Sequence, residues 1–425
     1  MKHSVTRFEN GLRLLEVPSH EAGSVVVNFL VTIGSRHEEA EERGLSHFLE
    51  HFLFKGTKKY PSTQAITQIV DGMGAEMNAA TAKECTQYYI KAPADSLAQV
   101  FDILTDMLQE PLLDHEELER EKGVIVEEIN MYQDSPSSVA ADQLEKLIWP
   151  NDPLGEEITG TKASVSNLSR EQFKSYLKKN YVPSNIVIGV GGKFDSKVLH
   201  ELIHQYWTAS PKAKKVFNFF LNEEFVKPRI KVVKKPTEQS HTILAFKGLP
   251  HSHKLNATMD VLAAILGGGM SSRLFTEVRE RRGLAYYVRC GPSRYTDTGL
   301  FGVAAGVRND KIEDALKVMI LELVKIKEDT VPQVELEKAK SYIKGRTTLA
   351  LEDPGARLDW YLDELVFEKV IRTPDEWFRE LSEVTPEQVQ NLAQMLFRTE
   401  LANIVVVGKS AIESKLRDIL EKELR

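Results

Sequence analysis

Two histidines and a glutamate within five residues are the part of this chain best suited to metal chemistry. The segment reads His47-Phe48-Leu49-Glu50-His51. On an α-helix, residues four positions apart share a face, so His47 and His51 can bind one Zn²⁺ together. Glu50 then lies beside the metal, where its carboxylate can take a proton from a water molecule. The spacing therefore predicts a zinc site that carries its own general base.

A pair of glutamates farther along the chain can complete this site. Glu121 and Glu128 are seven residues apart, which is about two helical turns, so they project from one face of a predicted helix. A carboxylate that faces a core is costly unless a cation or hydrogen-bond donors meet it, and zinc would supply the cation. With Glu128 as the third ligand, the fourth position stays open for water, as a catalytic zinc requires.

The helix that must position the two histidines is visible in the sequence around them. Apolar residues recur there at helical spacing, and Gly56 follows as a stop signal. The pattern predicts a short buried helix, which would hold both imidazoles in fixed positions. Its apolar residues are Leu45, Phe48, Leu49, Phe52 and Leu53.

A second zinc motif competes with the first. Residues 200–204 spell a literal H-E-x-x-H motif, and Glu224 follows His204 by twenty residues, a plausible distance for a third ligand. The predicted helix, however, turns its apolar stripe inward and leaves His200 and His204 toward solvent, whereas a catalytic zinc needs a walled cleft. We therefore favour the first site and keep zinc on His200, His204 and Glu224 as an alternative.

An internal repeat divides the chain into two copies of one domain. At a displacement of 218 residues, Glu121 and Glu128 correspond to Ala339 and Arg346, so the second copy has lost the metal ligands. The Lys-rich, Pro-flanked stretch 210–228 interrupts the patterning and marks the boundary. We predict a zinc-binding catalytic domain at 1–215 and a second domain without metal at 229–425. The matches at this displacement are 117–120 with 335–338, Pro136 with Pro354, and 185–188 with 403–406.

The zinc motif and its surroundings resemble the M16 metallopeptidases, or inverzincins, whose motif is H-E-x-x-H inverted. The likeness is close over residues 44–89. In that family the third ligand follows the second histidine after 76 residues, which leads from His51 to Glu128. The resemblance is to the small M16B type, which includes bacterial processing-peptidase-like proteins and the beta subunit of the mitochondrial processing peptidase. It implies a zinc-dependent endopeptidase with Glu50 as base and Glu121 as a carboxylate that supports the metal helix.

The same resemblance implies how a peptide substrate would be held. Residues 77–81 correspond to an edge strand that pairs with extended substrate in relatives, and Asn78 and Ala79 are expected to bind substrate on that basis. Arg279 and Tyr286 match an Arg and a Tyr that hydrogen-bond substrate carbonyls near the cut. Both side chains are donors in their usual charge states, which suits this role.

Strand-like runs such as 24–32 alternate with amphipathic helices such as 97–108 and its counterpart 312–326, so the chain is predicted to be α+β, with one domain fold used twice. The resemblance implies that each domain is a largely antiparallel sheet of about six strands with helices packed on one side. Longer relatives fuse four such domains into a chamber, with zinc from the first and the Arg/Tyr pair from the last. Two copies of this chain would rebuild that number, so the resemblance implies a homodimer with a composite active site.

A different class of function is also open. Relatives of the M16 type include core subunits of respiratory complexes that have lost the metal site, so a non-catalytic assembly or interaction protein is the alternative. The presence of His47, Glu50, His51 and Glu128 argues against it.

Composition narrows the remaining choices. The chain is 42% hydrophobic and 28% charged with a net charge of −7, which is ordinary for a globular protein and gives no sign of nucleic-acid binding. No apolar run has the length of a membrane helix, and no export signal is visible. Cys85 and Cys290 lack metal-type spacing, so reduced thiols are expected. We therefore expect a cytoplasmic protein that acts on peptides and binds neither membrane nor nucleic acid.

Overall fold

The chain folds into two compact units, each built around one β-sheet. The computed structural model describes residues 2–207, 219, 221, 227–368 and 370–424. The first unit comprises Met1–Asn130, Glu156–Asn218 and Ala350–Ile371, and the second comprises Met131–Gly155, Phe219–Leu349 and Arg372–Arg425. Each unit therefore includes one segment from the other half of the chain. The predicted range 1–215 instead contains 131–155, and the predicted range 229–425 contains 350–371. Most of the predicted boundary at 210–228 lies outside the described residues.

The first sheet has six strands among the described residues, in the order β1-β2-β6-β3-β5-β4. Neighbouring strands run antiparallel except for β2 and β6, which are parallel. Strand β4 therefore lies at one edge of the sheet. The strands are β1 (Ser4–Arg7), β2 (Arg13–Pro18), β3 (Ser24–Val31), β4 (Glu76–Thr81), β5 (Thr86–Pro93) and β6 (Ile186–Gly192).

The second sheet repeats this arrangement with five described strands in the order β7-β11-β8-β10-β9. Again one pair, β7 with β11, is parallel and the others are antiparallel. The predicted α+β fold with two such sheets is confirmed. The strands are β7 (Arg229–Lys234), β8 (Gln239–Lys247), β9 (Ala285–Arg294), β10 (Gly299–Arg308) and β11 (Asn403–Gly408).

Helices cover the sheets. In the first half of the chain they are α1 (Leu45–Leu53), α2 (Thr63–Gly72), α3 (Leu97–Gln109), α4 (His115–Asp134), α5 (Pro136–Ile148), α6 (Lys162–Asn167), α7 (Arg170–Asn180) and α8 (Ser196–Trp207). In the second half they are α9 (Asn256–Gly267), α10 (Ile312–Glu328), α11 (Gln333–Ala350), α12 (Pro354–Phe367), α13 (Pro374–Ser382), α14 (Pro386–Leu396) and α15 (Glu413–Glu423).

Strand β3 shows why both faces of the first sheet are covered. Its apolar residues alternate between two cores, because successive side chains of a strand point to opposite faces. Val27 and Phe29 face the large core that includes α1, α3 and α8, whereas Val26 and Leu30 face a smaller core. The smaller core is closed by α12, which supplies Leu358, Tyr361, Leu362 and Leu365.

The second sheet is covered by α5 in the corresponding way. Ala140, Leu144 and Ile148 of α5 pack against residues of β8, β10 and β11. Both α5 and α12 begin with a proline in the first turn after a side-chain cap, from Ser135 and Asp353 respectively. Pro136 matches Pro354 in the repeat, so α5 and α12 are counterparts. Helix α5 comes from the first half of the chain but belongs to the second unit, and α12 comes from the second half but belongs to the first unit.

Candidate metal centre

The histidine motif lies on α1, a nine-residue helix whose apolar face is fully buried. Its N-terminus follows Gly44, whose φ of 88° is in the left-handed region that favours glycine. The helix has no side-chain cap of its own. Instead Glu38 accepts hydrogen bonds from the backbone N–H groups of Gly44 and Ser46, at 2.9 and 2.7 Å. Burial raises the pKa of Glu38 to about 7, while these hydrogen bonds favour its charged form.

Three side chains converge in the geometry of a zinc site. The Nε2 atoms of His47 and His51 lie 3.6 and 3.5 Å from the same oxygen, Oε2 of Glu128. Zinc ligands at about 2.0–2.2 Å from the metal in a tetrahedron are separated by roughly 3.3–3.6 Å, which both of these distances match. All three ligand atoms lie within 4.8 Å of one another. The spacing is longer than a good hydrogen bond, which also suits a shared cation. Helix α4 supplies Glu128, and α1 supplies both imidazoles.

Glu121 supports His51 from the opposite side of the ring. Its Oε1 lies 3.0 Å from Nδ1 of His51, and only 2% of the residue is exposed. When the Nδ1–H group of His51 donates a hydrogen bond to this carboxylate, Nε2 keeps a lone pair directed toward the ligand cluster, as metal-binding histidines require. Although burial opposes it, hydrogen bonding to His51 and Lys55 holds the pKa of Glu121 below its usual value.

Lys55 is a residue of this site that the sequence interpretation missed. Its Nζ contacts the second oxygen of Glu121 at 2.6 Å, so each oxygen of that carboxylate has a partner. Lys55 lies four positions after His51, one helical turn beyond the end of the motif. That spacing was the available signal, but α1 ends at Leu53, and the spacing does not show which carboxylate Lys55 meets.

We expect Lys55→Met to weaken zinc binding by about 10- to 100-fold, the usual effect of losing a group that supports a ligand. Without the ammonium group, the Glu121 carboxylate loses the cation that holds it against His51. The zinc dissociation constant, measured by competition with a chelator, checks this. Lys55→Arg keeps the charge and is the matched control. Equal affinity in Lys55→Met and the unmodified chain would show that Glu121 needs no such support.

The proposed base, Glu50, is held by the edge strand. Thr81, the last residue of β4, donates a hydrogen bond from Oγ1 to Oε2 of Glu50 at 2.6 Å. Residues of β4 alternate between exposed and half-buried, with Met77, Ala79 and Thr81 on the half-buried side. Met77 and Ala79 pack against the large core. Strand β4 thus lies directly beside the helix that carries the histidines.

Asn78 and Ala79 lie in the middle of this edge strand. They are paired with Tyr89 and Tyr88 of β5 on one side, and among the described residues no strand is paired with the other side. The Asn78 side chain accepts a hydrogen bond from the backbone N–H of Ala79 at 2.9 Å. An open edge offers backbone donors and acceptors to an extended peptide.

Arg279 and Tyr286 are neighbours in the second unit. Arg279 lies in a π-helical segment, Phe275–Glu280, and Tyr286 is the second residue of β9. The guanidinium carbon of Arg279 is 4.7 Å from the ring centre of Phe275 and 5.7 Å from that of Tyr286. Tyr286 is 74% exposed. Stacking on two rings restrains the guanidinium while leaving its N–H groups available to an acceptor.

The histidines of the rival motif have other contacts. Nε2 of His200 lies 3.3 Å from Oε2 of Glu16 on β2, and both His200 and His204 pack beside the ring of Phe8. Glu224 lies outside the described residues. Within the described part of the chain, His47, His51 and Glu128 form the one group of three or more His, Cys, Asp or Glu side chains with metal-binding geometry.

In the second unit, an ion pair joins the segment after α9 to α11. Arg273 donates from Nε and Nη2 to the two oxygens of Glu335, at 2.9 and 2.7 Å. Ala339 and Arg346, the counterparts of the two glutamates, lie on the same helix α11. A bidentate ion pair can link two segments without a metal.

Comparisons with known proteins identify the family of this chain. The family model "Insulinase (Peptidase family M16)" matches residues 15–162, and "Peptidase M16 inactive domain" matches residues 167–343. The chain is 35% identical to the uncharacterized zinc protease YmxG of Bacillus subtilis over 93% of this chain and 95% of that protein. The chain belongs to the M16 peptidase family. An uncharacterized zinc protease of Streptomyces coelicolor is 33% identical over 97% of this chain and 91% of its own length.

Solved structures share the fold of this M16 chain. A protease from Helicobacter pylori has a TM-score of 0.90 at 24% identity and covers 96% of this chain and 99% of its own. The periplasmic protease PqqL from Escherichia coli has a TM-score of 0.83 at 20% identity, with all of this chain covering 50% of PqqL. In the described part of the chain, no helix combines the length and apolar character needed to cross a membrane.

Proposed function

We propose that this M16 chain is a zinc-dependent endopeptidase that cuts extended or unfolded peptides. The observation that carries the proposal is the meeting of His47, His51 and Glu128 around one point. Glu50 lies on the same helix and is hydrogen-bonded to an open edge strand. A structural zinc site would need neither a free fourth position nor a neighbouring base. The names of two similar proteins, both called zinc proteases, support the same metal.

The residues have separate tasks in the proposed reaction. When bound, zinc would supply Lewis acidity toward the scissile carbonyl and toward water. Glu50 takes a proton from the attacking water as the oxygen bonds to the carbonyl carbon. It then passes that proton to the departing amine nitrogen as the C–N bond breaks. Glu121 keeps His51 in its ligating orientation throughout, through the bond to Nδ1.

We assign substrate binding to the backbone of β4 and to two side-chain donors, the guanidinium of Arg279 and the phenol of Tyr286. An extended peptide adds to the open edge of β4 at Asn78 and Ala79, and main-chain hydrogen bonds give affinity with little dependence on side chains. Arg279 and Tyr286 donate hydrogen bonds to peptide carbonyls and stabilise the developing oxyanion. A folded domain cannot offer a free strand, so it is a poor substrate.

The test is hydrolysis of an unstructured, fluorescence-quenched peptide by the purified chain. We expect cleavage that stops when zinc is removed by a chelator and returns when zinc is restored. A disulfide-locked domain with the same target segment should resist cleavage until it is reduced and unfolded. Efficient cutting of the locked domain would contradict strand addition. Bound zinc without any hydrolysis would favour the alternative, a non-catalytic assembly protein.

We further propose that the working unit is a homodimer with composite active sites. PqqL has twice the length of this chain, so two copies are needed to match it. The metal ligands belong to the first unit, and Arg279 and Tyr286 belong to the second. In the proposed dimer, zinc on one subunit works with the Arg/Tyr pair of the other.

This arrangement predicts complementation between two weak variants. Glu50→Gln and Arg279→Ala homodimers should each have low activity. Mixing them under exchange conditions should create heterodimers with one intact site, which combines Glu50 of one chain with Arg279 of the other. Activity should rise with the measured fraction of heterodimer. Verified heterodimers that are no more active than the parents would mean that Arg279 does not act across subunits.

A reducing compartment remains part of the proposal. Cys85 and Cys290 are free cysteines, and burial raises the pKa of Cys85 to about 12, which keeps its thiol protonated and unreactive. We propose a cytoplasmic location, since disulfides are rare in cytosolic proteins; the raised pKa of Cys85 does not bear on this choice.

A further inference from the structure

The hydrogen bond between Thr81 and Glu50 connects the proposed base to the strand proposed to bind the peptide. Thr81 Oγ1 lies 2.6 Å from Glu50 Oε2, a length typical of a strong O–H···O⁻ bond. Thr81 shares the half-buried side of β4 with Met77 and Ala79. One rigid element therefore contacts the base and, if the proposed function holds, pairs with the substrate.

The position of Thr81 is fixed by contacts on both sides. On β5 it is paired with Thr86, which is fully buried and donates a hydrogen bond to the carbonyl of Ile33 at 2.9 Å. The turn that follows is closed by a hydrogen bond from the N–H of Ala82 to the carbonyl of Cys85, at 2.8 Å. A hydroxyl anchored in this way can orient a more mobile partner.

The same turn is tied to the loop before the metal helix. The N–H groups of Ser35 and Arg36 donate to the carbonyls of Ala82 and Lys83, at 3.1 and 2.7 Å. Arg36 also forms a buried ion pair with Glu84 at 2.7 Å. A Cβ at Gly34 would lie 2.2 Å from the carbonyl oxygen of Ala82, so only glycine permits this approach. The turn and the loop before α1 thus form one packed unit.

A glutamate needs such an anchor to act as a base. Its side chain has several rotatable bonds, and the last one has a broad energy minimum, so a half-buried carboxylate samples many orientations. Small misplacements of a reacting group cost rate steeply. Among the described residues Glu50 forms no ion pair with a lysine or arginine, in contrast to Glu121 with Lys55. A neutral hydroxyl restrains the carboxylate through a directional hydrogen bond and places no charge beside it.

We propose that Thr81 is a positioning residue that orients Glu50 relative to a peptide paired with β4. Its hydroxyl is hydrogen-bonded to Oε2 of Glu50, so Oε1 is the atom that takes the proton from water. Because the hydroxyl and the substrate-binding backbone belong to one strand, the base is aligned with a fixed point along the bound peptide. This inference rests on the proposed endopeptidase function and adds the residue that connects peptide binding to proton transfer.

The experiment compares Thr81→Val, which keeps the shape of the side chain but removes the donor, with Thr81→Ser, which keeps the donor. We expect kcat of Thr81→Val to fall by about 10- to 100-fold, the effect of losing a hydrogen bond to a charged group. Its KM, zinc content and melting temperature should stay close to those of the unmodified chain. Thr81→Ser should recover most of the lost turnover. Thr67→Val, on the surface helix α2, is the matched control for the substitution itself.

A double-mutant cycle with Glu50→Gln separates positioning from a general structural role. If Thr81 acts through Glu50, Thr81→Val should have no further effect on the residual rate of Glu50→Gln. An equal loss in both backgrounds, a higher KM with unchanged kcat, or full activity of Thr81→Val would each overturn the inference. An unmodified chain that binds zinc but cuts no peptide would instead overturn the proposed function, and the role of Thr81 with it.

Discussion

Replacing His47 or His51 with alanine is expected to remove most of the bound zinc. Each change leaves two of the three protein ligands around the point where Nε2 of both rings meets Oε2 of Glu128. Loss of a direct ligand should exceed the roughly 10- to 100-fold loss in affinity that follows removal of a supporting group. Elemental analysis of the purified variants after dialysis measures the zinc that remains. Peptide hydrolysis should fall in parallel, because the reaction depends on the metal.

The matched control for this result is the double variant His200→Ala/His204→Ala. It removes both histidines of the rival pair, which also lie four residues apart on a helix. Those rings pack beside Phe8, and His200 faces Glu16. Zinc content and activity should therefore stay near those of the unmodified chain. Retention of zinc by His47→Ala and His51→Ala, together with its loss in the control, would move the metal to the rival motif.

Glu50→Gln is expected to separate zinc binding from catalysis. Zinc content should be unchanged, because the proposed metal ligands are His47, His51 and Glu128 and do not include Glu50. The amide cannot accept a proton from water, so kcat should fall by roughly 100-fold or more, the scale for loss of a general base. The measurement is steady-state hydrolysis of a quenched peptide by a variant with verified zinc content. Unchanged turnover would exclude Glu50 as the base.

Two further glutamate variants on α4 make this result specific. Glu128→Gln replaces a ligand, so zinc and activity should be lost together. Glu127→Gln changes the exposed neighbour of that ligand and should preserve both. Only Glu50→Gln should combine full zinc content with low turnover, and this pattern distinguishes a base from a ligand and from a surface carboxylate.

Most secondary structure could be predicted from the sequence because its signals are local. The run 24–32 was predicted as a strand and β3 spans Ser24–Val31. The helix predicted at 97–108 is α3, Leu97–Gln109, and its counterpart predicted at 312–326 is α10, Ile312–Glu328. Apolar residues that alternate with period two indicate a strand, and apolar residues spaced near 3.6 positions indicate a helix. Both patterns lie within consecutive residues, so they can be recognised without knowing which other segments the element packs against.

In the candidate site, too, local spacing predicts some features, whereas contacts between distant residues cannot be predicted from it. The four-residue spacing of His47 and His51 indicated that both rings can bind one metal ion. The seven-residue spacing of Glu121 and Glu128 indicated that both carboxylates lie on one face of α4. The contacts of Lys55 with Glu121 and of Thr81 with Glu50 connect residues 66 and 31 positions apart. No periodic pattern relates such positions. The roles of Asn78, Ala79, Arg279 and Tyr286 stay predictions, because they concern a bound peptide.

The zinc motif, the helix faces and the repeat that relates Pro136 to Pro354 can all be read from the order of residues along the chain. Which sheet each repeated helix covers is evident only from the folded protein. Helix α12 closes the first sheet and α5 packs on the second, so each helix belongs to the unit of the opposite half. An amphipathic pattern specifies that a face must be buried, but two sheets of the same design offer equivalent apolar surfaces. The choice between them depends on the path of the connecting chain and on complementary packing, which local patterns do not contain.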